Sequence, residues 1–298
     1  MGIDFSVSGR PGVDRQACTQ CGLCIDVCPD KVLQADDGYP RAGSGEFAGC
    51  IACGHCTAVC PAGAITVSGR GLTGDDSIEL TALGERATAD QLEALLVRRR
   101  SMRKYTAQEV DRESLEWIVA MAATAPMGIP PHEVGVVVFP GREQVRQFTD
   151  LAAEAFARTV KFCNPVTLLL MRPMLGKKLC RMLRDFVKPL LKTILAHRAK
   201  GDDRFLYDAP AAMLFHHTPL ADAADCVIVA TYAMLAAESL GLGTCMIGTT
   251  AALNQHKEVK QKLGIPPENQ VGVGLAIGHP DVKFQRGVRR RLASVRFM

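Results

Sequence analysis

From residue 88 onward, apolar positions recur at helical spacing through much of the chain. Thr88 stands three residues before Gln91, the spacing of a capping box, and Leu92, Leu95 and Leu96 form an apolar stripe, so a helix is predicted there. Asp111 offers a cap for a second helix carrying Leu115, Ile118, Val119 and Ala122, which ends before Pro126. Val134 to Phe139 is a short continuous apolar run and reads as a buried strand. Further helices are expected near Glu143 to Phe162, in a basic stretch near Gly176 to Lys200, at Asp222 to Leu240 and near Asn254 to Leu263. Strands are expected at Ala211 to His216 and Val271 to Ile277. Strands separated by helices point to α/β or α+β layers. Upstream the pattern changes: Ser68 to Ala87 contains Ser68-Gly69-Arg70-Gly71 and Thr73-Gly74-Asp75-Asp76 with no sustained periodicity, which reads as a linker. Three parts follow, a first domain over 1–69, a linker over 70–87 and a second domain over 88–298.

Length agrees with that division, since 298 residues supply one large core and a smaller appendage. With 48% hydrophobic and 22% charged residues the composition is that of a folded soluble protein. The opening residues lack the apolar core of a signal peptide, and the longest apolar run, Cys226 to Ala237, is too short to span a bilayer. Twelve cysteines without an export signal point away from disulfides and toward a reducing cytoplasm.

Eight of those cysteines lie between residues 18 and 60, and they decide the first domain. They read Cys18-x2-Cys21-x2-Cys24-x3-Cys28-Pro29 and Cys50-x2-Cys53-x2-Cys56-x3-Cys60-Pro61, each position repeating after 32 residues. Three thiolates at i, i+3 and i+6 wrap three corners of a cube, and the fourth, carried away on a short helix, ligates the neighbouring cube. Cys18, Cys21, Cys24 and Cys60 are therefore expected to hold one [4Fe-4S] cluster, and Cys50, Cys53, Cys56 and Cys28 the other. Pro29 and Pro61 stop the helices and turn the chain into short strands around Val32 and Ile65, while Gly22 and Gly54 leave room for backbone amides near the sulfurs. The competing chemistry is zinc, which paired C-x2-C motifs also bind. Runs of three followed by Cys-Pro match the bacterial ferredoxin pattern instead. His55 reads as a surface residue near a cluster, and Cys163, Cys180, Cys226 and Cys245 as small apolar packing residues.

Three features of the second domain carry candidate chemistry. Arg98-Arg99-Arg100-Ser101-Met102-Arg103-Lys104, at a helix end, suits a phosphorylated cofactor, because guanidinium binds phosphate bidentately and the serine adds a donor. A solvated basic helix end is the alternative. Gly241-Leu242-Gly243-Thr244-Cys245-Met246-Ile247-Gly248 follows the long apolar helix; its glycines can end that helix and let backbone amides approach a flat ring. Neither it nor Gly272 to Gly278 has the dinucleotide-binding glycine spacing between strand and helix, and the latter reads as a strand. The tail from Lys283 to Arg296 is rich in arginine, but without a recognition motif it gives no case for nucleic acid.

In their order along the chain these motifs resemble the nitroreductase-like FMN flavoproteins over roughly Ala87 to Met298. That resemblance implies an α+β domain with a central, mainly antiparallel sheet flanked by helices, and FMN at the interface of a homodimer. It further implies that Arg99, Arg100, Ser101 and Arg103 hold the ribityl chain and phosphate, that backbone near Ile247 and Gly248 faces the flavin N5, and that Arg286 and Arg290 complete the phosphate site. After the helix ending in Ala125-Pro126, family members carry an Asn and a Gln-Pro-Trp; here Pro130 and His132 stand at the Asn and Gln positions, so the side-chain contact to the ring is lost or made by backbone. With the cysteine module in front, the chain resembles a ferredoxin-nitroreductase fusion. The implied activity is oxidoreduction, passing electrons from the clusters to FMN and on to a small organic acceptor such as a nitroaromatic. Quinones, activated alkenes and halogenated compounds are alternative acceptors, and a non-catalytic electron carrier or redox sensor is the alternative class. External ferredoxin or NAD(P)H is the expected donor. His132, His216 and His217 are candidate proton donors or structural residues.

An insertion over 161–204 carries eleven Lys or Arg against Asp185, Asp202 and Asp203, a net charge of +8, whereas the first seventy residues sum to −2. A basic helix docking an acidic ferredoxin, or the chain's own cysteine module across a dimer, is one reading; a solvated helix face is the other.

Overall fold

The computed structural model describes residues 8–46, 49–74, 76–128 and 132–298. It divides into two compact units, one built from Met1–Arg86, Pro126–Val134 and Thr218–Asp225, the other from Ala87–Ala125, Gly135–His217 and Cys226–Met298.

The first unit is a folded duplication. Strands β1 (Arg10–Val13) and β4 (Ile65–Ser68) pair antiparallel, as do β2 (Leu33–Asp36) and β3 (Tyr39–Ala42). Helix α1 (Leu23–Asp26) lies before β2, and α2 (His55–Val59) before β4. The 32-residue repeat extends to the backbone. Gln20 and Ala52, Gly22 and Gly54, Lys31 and Gly63, Asp37 and Gly69, and Gly38 and Arg70 all share positive φ. Left-handed backbone at matched positions, glycine or not, means that the two halves are the same loop built twice. Between them Leu33, Ile65 and Val67 form a small core with the buried Cys24 and Cys56.

In the second unit Thr88 caps α3 (Ala89–Arg98) in a complete capping box with Gln91, and the Asp111 carboxylate accepts from Ser114 N at the start of α4 (Arg112–Ala123). Next come β5 (Val134–Phe139), whose residues are mostly half-buried, and α5 (Arg142–Phe162). The insertion forms α6 (Pro165–Met182), a π-helical turn over Leu183–Val187 and α7 (Lys188–Arg198). α6 begins eleven residues before the expected start at Gly176, because Asn164 caps it through Thr167 N and Pro165 opens it; Gly176 is instead a break inside the helix, at φ 78°. Strand β6 (Ala211–His217), helix α8 (Ala223–Ser239), strand β7 (Gly243–Ile247), a 3-10 stretch (Gly248–Gln255), α9 (Lys257–Lys262) and β8 (Gln270–Gly278) complete the unit.

The larger sheet has the order β5-β6-β8-β7, with β6 and β7 each antiparallel to β8, so the fold is α+β as expected. β7 was not expected as a strand. Its flanking glycines read as a turn, yet Gly241 at φ 76° ends α8, and Thr244, Cys245, Met246 and Ile247 pair fully with β8. The main core fills the space between sheet and helices with Phe139, Phe148, Phe156, Phe205, Leu214 and Leu253. Phe139 stacks on Phe148 at 4.4 Å, and Phe205 meets Phe148 and Phe156 edge-on at 5.6 and 5.0 Å. Phe205→Ala is expected to destabilise the chain by about 3–5 kcal/mol in denaturant unfolding, since Phe205 is only 1% exposed and both Phe148 and Phe156 would lose its edge contact. Among the described residues no helix is long and apolar enough to cross a membrane.

Candidate functional site

Two cavities in the first unit are lined by the eight cysteines. Cys18, Cys21, Cys24 and Cys60 line one, together with Val13, Ile25 and Ile65; Cys28, Cys50, Cys53 and Cys56 line the other, together with Val32, Leu33 and His55. The partition is the crossed one: each run of three shares its cavity with the last cysteine of the other run. Gly22 and Gly54, at φ 77° and 73°, start α1 and α2, and these helices carry Cys28 and Cys60 away from their own runs. Ala64 N lies 3.3 Å from the Cys60 sulfur and donates to it. Among the described residues no three His, Cys, Asp or Glu side chains converge on a point as a single metal ion requires. The cysteines of each set surround a volume instead, which fits an iron-sulfur cube. Burial pushes the Cys56 thiol up to about 11 and raises Cys24 and Cys50 as well, with neighbouring cysteines adding to each shift, so iron must displace protons from these groups.

The arginine motif of the second unit runs in extended form beside β7. Ser101 bridges Thr244 in parallel fashion and Met102 N donates to Thr244 O at 2.8 Å. This approach needs the glycine at 243, because a Cβ there would stand 2.7 Å from the Met102 side chain. Alternation along the extended segment then separates the predicted residues into two groups. Arg99, Ser101 and Arg103 surround Cys245: burial raises that thiol, while Arg103, Ser101 and Arg99 pull it back. The Arg103 guanidinium also lies over the Tyr207 ring, 5.8 Å from its centroid. Arg100 and Met102 line a cleft of about 760 Å³ with Glu238, Lys283 and Arg286. Arg286 therefore joins Arg100, and Arg100 reaches the Val288 carbonyl at 3.5 Å; Arg290 is exposed and is not among the residues lining that cleft. Ile247 ends β7 in the core, and Gly248 is exposed just beyond it.

The cations here are poorly neutralised. Lys104 pairs with Asp281 at 3.0 Å, but among the described residues Arg99, Arg100 and Arg103 have no carboxylate at ion-pair distance. Burial raises the Glu238 carboxyl, and the field of Arg99 and Arg98 opposes that rise. Thr244 Oγ1 is buried without a hydrogen-bond partner among the described residues. Unpaired arginines, a serine hydroxyl and an orphaned buried hydroxyl make a donor set suited to a phosphorylated ligand. Cys245 is a buried core residue as expected, and what sequence reasoning did not show is its place beside the arginine motif, nor those of Tyr207 and Glu238. Only the place of Cys245 between Ser101's partner Thr244 and the strand end would have pointed to it.

Of the candidate histidines in the second unit, neither His216 nor His217 lines the cleft of Arg100 and Arg286. His132, at φ 68°, lies in the first unit with its Nε2 3.3 Å from the Ala52 carbonyl. His216 is packed over Gly135, with its Nδ1 3.0 Å from Asn269 Nδ2, and burial holds its pKa below the usual histidine value. His217 is buried at 7% exposure. Pro130, at the expected Asn position, lies outside the described residues. Of the other cysteines, Cys163 and Cys226 are buried packing residues as expected, and Cys180 is half-buried.

Residues 96–279 match the model of the nitroreductase family, and residues 14–65 match that of a 4Fe-4S dicluster domain. An NADPH-flavin oxidoreductase from Vibrio harveyi is 40% identical over 67 residues, 22% of this chain and 27% of that protein, so the chain aligns with about a quarter of its relative's length. A nitroreductase with bound FMN from Bacteroides fragilis superposes with a TM-score of 0.52 at 18% identity, covering 70% of this chain and 98% of the other. One from Desulfitobacterium hafniense, also with bound FMN, does so at 0.50 and 19%, covering 69% and 97%. At these identities the likeness establishes the fold.

Proposed function

The chain belongs to the nitroreductase family, and we propose that it is an FMN oxidoreductase fed by its own two [4Fe-4S] clusters, which passes electrons to a small organic acceptor such as a nitroaromatic. One observation carries the reading. The Met102 to Thr244 hydrogen bond sets Arg99, Ser101 and Arg103 along β7, with no carboxylate at ion-pair distance from either arginine among the described residues, in a chain that also has two crossed four-cysteine cavities. Arg99, Ser101 and Arg103 would hold the ribityl chain and phosphate, Ile247 and Gly248 would present backbone to the ring, and Arg100, Arg286 and Arg290 would add positive charge. Bound flavin exchanges single electrons with clusters and paired electrons with organic acceptors. The arginines contribute electrostatically, since fixed cations favour the reduced, anionic ring as well as the phosphate.

Leu92, Leu96 and Val97 of α3 are 47%, 50% and 53% exposed, an apolar face that supports the homodimer expected of such proteins. The basic surface of α6 and α7, with Lys177, Lys178, Arg181 and Lys188, suits an acidic ferredoxin as electron donor. NADPH is the second donor, by analogy with the name of the Vibrio harveyi relative. Quinones, activated alkenes and halogenated compounds are the other acceptor classes.

The test is anaerobic reduction of the purified chain by reduced ferredoxin, NADH or NADPH, followed by an acceptor series. Ferredoxin is expected to bleach the flavin at a rate that falls as salt is raised, and a nitroaromatic to restore its colour. Protein containing iron and sulfide but no releasable flavin would remove the enzyme reading.

A further inference from the structure

Arg70, like Asp30, is a place where the duplicated first unit departs from itself in charge. Its counterpart 32 residues earlier is Gly38, and both have positive φ, 49° and 81°. Glycine adopts that conformation freely, whereas any other residue there is strained. The strained residue is an arginine whose side chain is only 8% exposed. Its Nε is buried without a partner among the described residues, and Glu133 Oε1, at 3.5 Å and itself 17% exposed, gives a long ion pair. A buried guanidinium so weakly compensated is expensive unless other negative charge shares its surroundings.

That charge is close by. Gly9 N donates to the Cys50 carbonyl at 2.7 Å, and Gly69, the residue before Arg70, lies against Ser8 and Gly9. One turn of backbone thus links Arg70 to the Cys50 end of the cavity of Cys28, Cys50, Cys53 and Cys56, although Arg70 is not in its lining. The field of Arg70 reaches the Cys50 sulfur. Asp30, buried and accepting from Glu46 N, lines the same cavity and opposes Arg70 in sign. The other cavity has no charged residue in its lining. Glu133 is held in turn by Thr218, whose hydroxyl donates to its Oε2 at 2.7 Å and whose N–H donates to its carbonyl at 3.0 Å. The adjacent His132 reaches Ala52, inside the Cys50 to Cys53 loop.

We propose that Arg70 raises the reduction potential of the cluster held by Cys28, Cys50, Cys53 and Cys56, and that Glu133, through its ion pair with Arg70, limits the rise. A fixed cation stabilises the cluster after it has taken one electron, and a carboxylate paired to that cation weakens the effect. The pair thereby adds to the difference that Asp30, whose counterpart is Ala62, already makes between the two cavities. The inference rests on the two-cluster reading of this unit.

An anaerobic dithionite titration of the full-length protein, followed by the paramagnetic resonance of the reduced clusters, tests it with Arg70→Met, Arg70→Lys and Glu133→Gln. Arg70→Met is expected to lower one midpoint and Glu133→Gln to raise the same one, while Arg70→Lys stays near the parent and the second midpoint does not move. Unchanged midpoints, both midpoints moving together, or Arg70→Met and Glu133→Gln shifting in the same direction would overturn the proposal. If Arg70→Met fails to assemble its clusters, Glu133→Gln decides, a rise supporting the proposal and no change or a fall ending it. Parent protein without iron and sulfide would sink the cluster reading itself, a failure distinct from clusters whose midpoints ignore these residues.

Discussion

Replacing Cys60 by serine is expected to abolish the cluster nucleated by Cys18, Cys21 and Cys24, and to leave intact the one nucleated by Cys60's own sequence neighbours. Cys60 lines the cavity of the first run, where it receives the Ala64 amide, and it is not in the lining of the cavity that holds Cys50, Cys53 and Cys56. A cube left with three protein thiolates is labile, so iron should fall to roughly half of the parent value, about four ions per chain. Cys28→Ser should remove the opposite cluster. Iron and sulfide analysis with paramagnetic resonance separates the outcomes: Cys60→Ser and Cys18→Ser must lose the same signal, and Cys28→Ser and Cys50→Ser the other. If Cys60→Ser instead lost the signal shared with Cys50→Ser, ligation would follow the sequence and the crossed arrangement would be wrong.

Removing the guanidinium of Arg103 should release FMN. Arg103 stands beside Cys245 with Arg99 and Ser101, over the Tyr207 ring and without a carboxylate at ion-pair distance among the described residues. A charge-assisted hydrogen bond to a phosphate or ring oxygen contributes about 1.5–3 kcal/mol, so Arg103→Ala should weaken FMN binding by roughly 10- to 100-fold. Arg99→Ala should act similarly, and the pair together by more than either alone. Arg100→Ala is expected to matter less, because Arg100 lines the cleft with Arg286 and Glu238 and is not among the side chains around Cys245. Flavin fluorescence on dilution measures each. Equal retention of FMN by Arg103→Ala and the parent would place the flavin elsewhere.

What could be read from the sequence was whatever local spacing determines. Cysteines at i, i+3 and i+6 leave a cube few arrangements, and the 32-residue repeat makes a crossed fourth ligand the expectation, with which the sharing of the two cavities agrees. The caps at Thr88 and Asp111 are equally local, since their partners are three residues away. Strand β7 was hidden because Gly241, Gly243 and Gly248 carry a turn signal, and only pairing with β8 makes the residues between them a strand. The early start of α6 was hidden by its uniformly apolar opening, Leu168-Leu169-Leu170-Met171, which has no helical period to read. The arginine motif reads as one group in the sequence, and only the bridge from Ser101 to Thr244 divides it. Arg70 lay in what reads as a glycine-rich linker, and its partner Glu133 is 63 residues away, a separation that no local pattern spans. The joining of Pro126–Val134 and Thr218–Asp225 to the cysteine unit was invisible for the same reason.

The central claim is that electrons reach the flavin through the clusters. It is tested most directly by mixing reduced ferredoxin anaerobically with the FMN-loaded parent and with a Cys28→Ser/Cys60→Ser variant, and following flavin bleaching in time. The account predicts rapid bleaching in the parent and loss of that rapid phase in the variant, with FMN content unchanged. Bleaching at the same rate in both would show that the flavin is reduced without the clusters, and would contradict it.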